Sequence, residues 1–265
     1  MVVHAYFVDS LKAYSLAIAL LTSLPILLIL FYGFGWMKPQ TVNIMIRSVE
    51  LTLFASGVAI LIDVVLLTPL SFYLSRSRNS LVETLVDLPA SVPHPVVGIG
   101  VLLTFSQYFP PGQFLSSHGL QVFDEITGLV IALILVSAPV YVRSCEEAFS
   151  SVPKDVIEAF STMGFGKWGQ LAYVALPYAS RSILNSALTA MARAISEFGS
   201  VAIVAYYVLN PPFTGVKYGS VLVYEIFNYQ GLQAAVAASA ILVAIGGLMS
   251  LAARLLTLLS RRGGK

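Results

Sequence analysis

From Ser15 to Phe34 the chain carries no charged side chain. An apolar run of that length, wound as a helix, crosses the roughly 30 Å hydrocarbon layer of a bilayer. Lipid offers no partner to a free backbone N–H or C=O, so a chain that enters it must satisfy those groups internally. Comparable runs recur at about 48–74, 81–105, 127–143, 176–209 and 234–259. The expected fold is therefore all-α: a polytopic membrane protein of six transmembrane helices, with residues 1–265 forming a single domain. Composition agrees, with 57% hydrophobic residues, 11% charged residues and a mean hydropathy of +0.85, where a soluble domain carries about 25% charged residues.

Each run has its own punctuation. The first is longer than the apolar core of a signal peptide, and its exit, Gly33 to Lys38, has no small-x-small cleavage site, so it reads as an uncleaved helix. Residues 36–47 read as a short connection. The second run contains Asp63 and Pro69. The third contains Pro89, Pro93 and Pro95, which must break its helical hydrogen bonds near the middle, so it faces a pathway or the bundle interior. Residues 107–126 form a loop without lysine or arginine, and residues 210–233 read as a loop or a re-entrant piece. The net charge of +2, with no long basic run, gives no footing for nucleic acid. The lone Cys145 permits no internal disulfide.

Lysine and arginine set the orientation. Arg76, Arg78, Arg143, Lys154, Lys167, Arg181, Arg261, Arg262 and Lys265 fall on one side, in agreement with Lys12, against Lys38, Arg47 and Lys217 on the other. The positive-inside rule makes the first side cytoplasmic, with both termini there. The longest polar insert, about 144–175, is then cytoplasmic too.

In that insert Ser150-Ser151-Val152-Pro153 reads as a capped helix start. The helix is expected to reach about Met163, with Val156, Ile157, Phe160 and Met163 as an apolar stripe and Lys154, Asp155 and Glu158 on the remainder. Gly164 stands where a left-handed C-terminal residue belongs. Residues 166–174 offer a second short amphipathic piece, and Leu176-Pro177 opens the next membrane helix. Physics alone leaves two readings: a knob for a soluble partner, or an amphipathic helix on the lipid headgroups.

The spacing of Glu158, Ala159, Gly164, Val174, Leu176 and Pro177 resembles the EAA loop of binding-protein-dependent ABC importer permeases. Phe160 departs from it, standing where that family often has a second alanine. Pro89, Pro93 and Pro95, and Ala138-Pro139 with Val142-Arg143-Ser144, also resemble stretches of those permeases. Ala192-Arg193 followed by Glu197-Phe198-Gly199 resembles a segment of the molybdate, tungstate and sulfate branch. The resemblance implies a plasma-membrane homodimer whose coupling helix lies between helices 4 and 5, with Glu158, Ala159, Phe160, Gly164, Leu176 and Pro177 contacting the ATPase. It further implies two ATP-binding cassette subunits holding ATP and Mg, an extracellular or periplasmic oxyanion-binding protein, and no cofactor in this chain.

Within the membrane, Arg193 and Glu197 are four residues apart and within pairing distance on one helical face. With Ser186, Thr189, Ser196 and Ser200 they form a polar stripe, which is either the wall of a water-lined oxyanion pathway or a helix seam glued by small polar residues. Pro93 and His94 are candidate gate residues, although a histidine among prolines is often a packing residue. His118 and His4 fall in a loop and a tail. Asp63 is expected against Arg193 or a backbone amide.

No G-x-x-x-x-G-K-[ST] occurs, and Gly164-x-Gly166-x-x-Gly169 lacks the strand a dinucleotide site requires. No nucleophile with its base and no metal cluster stands out, so the chain is expected to transport rather than catalyse. The rival is an ion-driven secondary transporter using Asp63 or Glu197; an ABC permease for sulfate or another solute is a nearer one.

Overall fold

The computed structural model describes residues 2–77 and 79–262, with side-chain surroundings from residue 11 to residue 255. Twelve α-helices follow one another among them: α1 (Val2–Gly35), α2 (Pro39–Arg76), α3 (Ser80–Ser91), α4 (His94–Thr104), α5 (Pro110–Ser117), α6 (Ile126–Ser150), α7 (Lys154–Thr162), α8 (Lys167–Gln170), α9 (Leu176–Ile195), α10 (Gly199–Val204), α11 (Gly219–Gln230) and α12 (Leu232–Arg262). A π-helical turn, Leu171–Ala175, joins α8 to α9. Arg78 and Lys265, counted above with the cytoplasmic cations, lie outside the described residues, as do the side chains of His4, Arg261 and Arg262.

Among the described residues four segments are long and apolar enough to cross a membrane: Leu11–Gly35, Pro39–Arg76, Ile126–Ser150 and Leu232–Leu255. The pair α3 and α4 makes a fifth if taken as one broken span, bent by 110°. Pro93, the residue preceding α4, and Pro95 within its first turn account for the bend, as expected of the third run. The helix α9 has the length, 20 residues, but Ser180, Arg181, Ser182 and Asn185 make it too polar to qualify on composition.

Several boundaries differ from the sequence reading. The connection at 36–47 contracts, because Pro39 takes the first helical position of α2, where its fixed φ helps and its missing N–H costs little. The helix α6 runs on to Ser150, so the start of the polar insert is a helix end: Ser150 Oγ and Ser151 Oγ donate back to the Glu146 and Ala148 carbonyls, and Pro153, with no side-chain cap, precedes α7. The expected span 176–209 stops at Ile195. Part of 210–233 is the helix α11.

At the centre α2 packs on α6 and α9. Its buried Met45, Ser48, Thr52, Ala55, Ser56, Ala59 and Asp63 recur at intervals of three and four, so one narrow face of small residues lets the helices approach closely. The outer layer is α1 against α12. A Cβ on Gly33 would lie 2.4 Å from Ala240 Cβ, which marks where they cross. The rest of α1 exposes Leu16, Leu20, Leu24 and Phe31.

At the end bearing most cations, Arg143 joins α6 to α3 by donating to both oxygens of Asp87, at 3.1 and 2.5 Å, and also bonds Glu146 at 2.9 Å. Arg76 Nη2 donates to the carbonyls of Phe149 and Val152, at 2.9 and 3.2 Å, fixing the turn that leads into α7.

Candidate functional site

Two helix breaks meet inside the bundle. The first separates α3 from α4; the second is Ser196-Glu197-Phe198, between α9 and α10. They approach closely because two glycines permit it. A Cβ on Gly199 would lie 2.9 Å from both His94 Cβ and Pro95 Cδ, and one on Gly98 would lie 2.8 Å from the Ser200 carbonyl oxygen.

Glu197 sits at this junction, 1% exposed. Its Oε1 accepts from the Ser200 N–H and Ser200 Oγ, both at 2.9 Å, so the carboxylate caps the N-terminus of α10, the end where a helix favours negative charge. Its Oε2 lies 2.6 Å from His94 Nδ1 and 3.0 Å from Arg193 Nη2. Arg193 Nη2 is also 2.8 and 2.9 Å from the two ring nitrogens of His94. The tautomer that donates from Nδ1 satisfies the carboxylate. The Ser220 hydroxyl donates to the Glu197 carbonyl. Tyr218 OH donates to the Ala194 carbonyl at 2.9 Å and accepts from Ser56 Oγ at 2.8 Å, closing the backbone left open by the end of α9.

The result is a buried, fully bonded acid whose two partners reach outward: the Arg193 side chain is 27% exposed and that of His94 32%. Thr189 on α9 and Ser196 just past its end are exposed, and Pro93 is exposed beside His94. Of the expected stripe, Arg193, Ser196 and Glu197 come together, and His94 of the candidate gate pair joins them from α4. Ser186 does not belong with them. It is buried, 2.9 Å from Ser144 Oγ, and bonds the Ser182 carbonyl, so it is seam between α9 and α6. Ser200 is on α10, not on α9, and acts on Glu197. Asp63 meets neither Arg193 nor a backbone amide: it accepts from Ser137 Oγ at 2.6 Å on α6. Sequence reasoning missed Ser220, Tyr218 and Ser56, and counted Ser200 in a stripe on one continuous helix. Only the glycine after Glu197-Phe198 hinted at a helix break there.

In the insert between α6 and α9, α7 ends as a Schellman motif. Gly164 has φ +88°, its N–H reaches the Ser161 carbonyl and that of Phe165 reaches the Phe160 carbonyl, each at 3.0 Å. The Phe160 and Phe165 rings close the motif at 5.3 Å between centroids. Ile157 is buried and Phe160 half-buried, whereas Val156 and Met163, expected in the same apolar stripe, are exposed. Glu158 and Ala159 are exposed, Leu176 is half-buried and Pro177 is exposed at the start of α9.

The model of the binding-protein-dependent transport system inner membrane component family matches residues 55–262. The chain belongs to that family, and is a multi-pass membrane transport subunit whose kind works with a separate ATPase and a substrate-binding protein. Over 205 residues it is 34% identical to the molybdate/tungstate transport system permease protein WtpB of Pyrococcus furiosus, covering 76% of this chain and 74% of that one. It is 26% identical to the sulfate transport system permease protein CysT of Synechocystis sp. over 86% of this chain and 79% of the relative. A bacterial alginate ABC transporter, solved with its alginate-bound periplasmic protein, contains a chain of the same fold, with a TM-score of 0.65 at 18% identity, covering 92% of this chain and 93% of that one.

Proposed function

We propose that this chain is the membrane-spanning half of a homodimeric, ATP-driven importer for a tetrahedral oxyanion of the molybdate and tungstate class. The observation that carries the reading is the one-third identity with a molybdate/tungstate permease over three-quarters of both chains. In this reading α1, α2, the broken pair α3–α4, α6, α9–α10 and α12 are the six spans of a single domain over residues 1–265, and α7 in the loop 144–175 is the coupling helix between spans 4 and 5. Both termini are cytoplasmic. Glu158, Ala159, Phe160, Gly164, Leu176 and Pro177 transmit the closure of the ATPase pair, which binds ATP and Mg, to α9. An external oxyanion-binding protein delivers the cargo.

The junction of the two breaks suits a small oxyanion in passage. Arg193 supplies N–H donors and Ser196 and Thr189 hydroxyls, with the His94 ring set against the guanidinium, while the carboxylate of Glu197 holds the net charge of the cluster down. A site that must release its ion gains from moderate attraction. Ser186 contributes by holding α9 to α6.

The secondary-transporter alternative needs a carboxylate that exchanges ions with both sides. Asp63 is completely buried against Ser137, and Glu197 has all its acceptor positions taken, which favours the ATP-driven reading. The test is uptake of labelled molybdate or tungstate into proteoliposomes holding this chain, its ATPase and its binding protein. Uptake should require internal ATP, resist excess sulfate and persist in Asp63→Asn. Uptake without the ATPase, or complete competition by sulfate, would overturn the energy source or the substrate class respectively.

A further inference from the structure

The last turns of α2 and the short α8 border two adjoining cavities. One, of about 570 Å³, is polar and includes Arg76, Lys154 and Lys167 among its walls, with Glu146 and Glu158. The other, of about 340 Å³, is walled by Pro69, Phe72, Tyr73, Trp168 and Leu171. They share Arg76, Ser77 and Lys167. Glu146 is already engaged by Arg143, and among the described residues Arg76, Lys154 and Lys167 make no ion pair with any carboxylate. Trp168, beside Lys167, is 73% exposed.

We propose that this double groove is a binding site for an anionic glycerophospholipid of the adjoining leaflet, with the phosphate against Arg76 and Lys167 and an acyl chain along Phe72, Trp168 and Leu171. Three observations meet there. The groove lies at the end of a membrane-spanning helix, where headgroups are. Its polar half sets Arg76, Lys154 and Lys167 against Glu146 and Glu158, of which Glu146 is taken by Arg143, so cations are in excess there. Its apolar half begins at the same two cations, and a free inorganic anion would leave that half empty. A tryptophan with an apolar body and one N–H is suited to the boundary between the two. Of the α7 residues proposed above to face the ATPase only Glu158 borders the groove, and only its polar half, so on that reading the apolar half is left for lipid. The site does not depend on which solute is carried.

Trp36 and Trp168 are the two tryptophans of the chain, so Trp36→Phe leaves Trp168 as the sole reporter. The full chain is placed in phosphatidylcholine vesicles with a minor fraction of brominated lipid, and quenching of Trp168 is measured. Brominated phosphatidylglycerol should quench at a several-fold lower fraction than brominated phosphatidylcholine. Lys167→Gln, at an exposed position, should weaken that preference about five-fold, the factor that roughly 1 kcal/mol per basic residue near an anionic surface implies. Added inorganic phosphate should leave the preference intact. Equal quenching by the two lipids, a preference that survives Lys167→Gln, or its loss to inorganic phosphate would each overturn the assignment.

Discussion

Glu197 looks, in sequence, like half of an ion pair on a continuous helix, yet its carboxylate does two jobs at once. One oxygen ends up as the cap of α10 and the other as the anchor for Arg193 and His94. Removing one partner of a buried, bonded charge pair costs roughly 3–5 kcal/mol, less here because Arg193 is a quarter exposed. Glu197→Leu should therefore lower the melting temperature in detergent, and Arg193→Leu combined with it should recover part of the loss, since the orphaned cation goes too. Additive losses in the double variant would mean that the two side chains do not act as a pair. Asp124 makes a different case. It sits at φ +53° in the loop before α6, 5% exposed, and accepts from the Tyr206 N–H at 3.1 Å. Burial raises its pKa, more than the backbone hydrogen bonds lower it. A carboxyl whose folded pKa is raised loses stability as pH rises from its unfolded pKa through its folded one. Asn tolerates this backbone and still accepts the hydrogen bond. Asp124→Asn should thus melt no lower than the parent at neutral pH and should remove that part of the pH dependence, whereas Asp124→Val, unable to accept and strained at positive φ, should melt lower at every pH.

At the scale of elements, α7 shows why a departure from a sequence pattern can be structural. Phe160, which departs from the resembled loop pattern, packs its ring against Phe165 and so completes the apolar closure that accompanies a Schellman motif. Phe160→Ala should loosen the turn, seen as faster amide exchange over residues 160–166. Glu158→Arg leaves that closure intact, since Glu158 is exposed. It should insert normally, yet weaken ATPase binding and uptake; unchanged binding with normal uptake would remove α7 from the coupling role. The apolar runs and the proline break were legible because hydropathy and a missing N–H are written in single residues. The break at Glu197 was not, because an Arg and a Glu four apart favour a continuous helix, whereas here the carboxylate also turns forward to bond Ser200. Nor were the partners of Asp63 and Ser186, Ser137 and Ser144, which lie far away in sequence and become neighbours only when α6 packs against α2 and α9. Ser150 misled for a related reason: a serine at a helix end can bond backwards to a carbonyl as well as cap the next helix.

The whole molecule presents one polar junction between two broken helices, with a packed seam below it on the same helix α9, and the proposed transport cycle predicts different behaviour for the two. Cys145 is the only cysteine and is buried, so Cys145→Ala gives a background for introduced thiols. Thr189→Cys and Ser196→Cys replace exposed residues, whereas Ser186→Cys replaces one that is 1% exposed and held against Ser144. If α9 lines an alternating pathway as the ATPase closes, thiols at 189 and 196 should react with a membrane-impermeant reagent from one side in the nucleotide-free complex. They should become protected on that side once the ATPase is trapped closed. The thiol at 186 should stay slow in both states, because a seam that opened would release α9 from α6 and break the lever linking α7 to the junction. A ligand shifts such an equilibrium only through its unequal affinity for the two states. Protection should therefore follow trapped nucleotide rather than oxyanion alone, and equal reactivity of 186 and 189, or labelling blind to the nucleotide state, would place the pathway elsewhere.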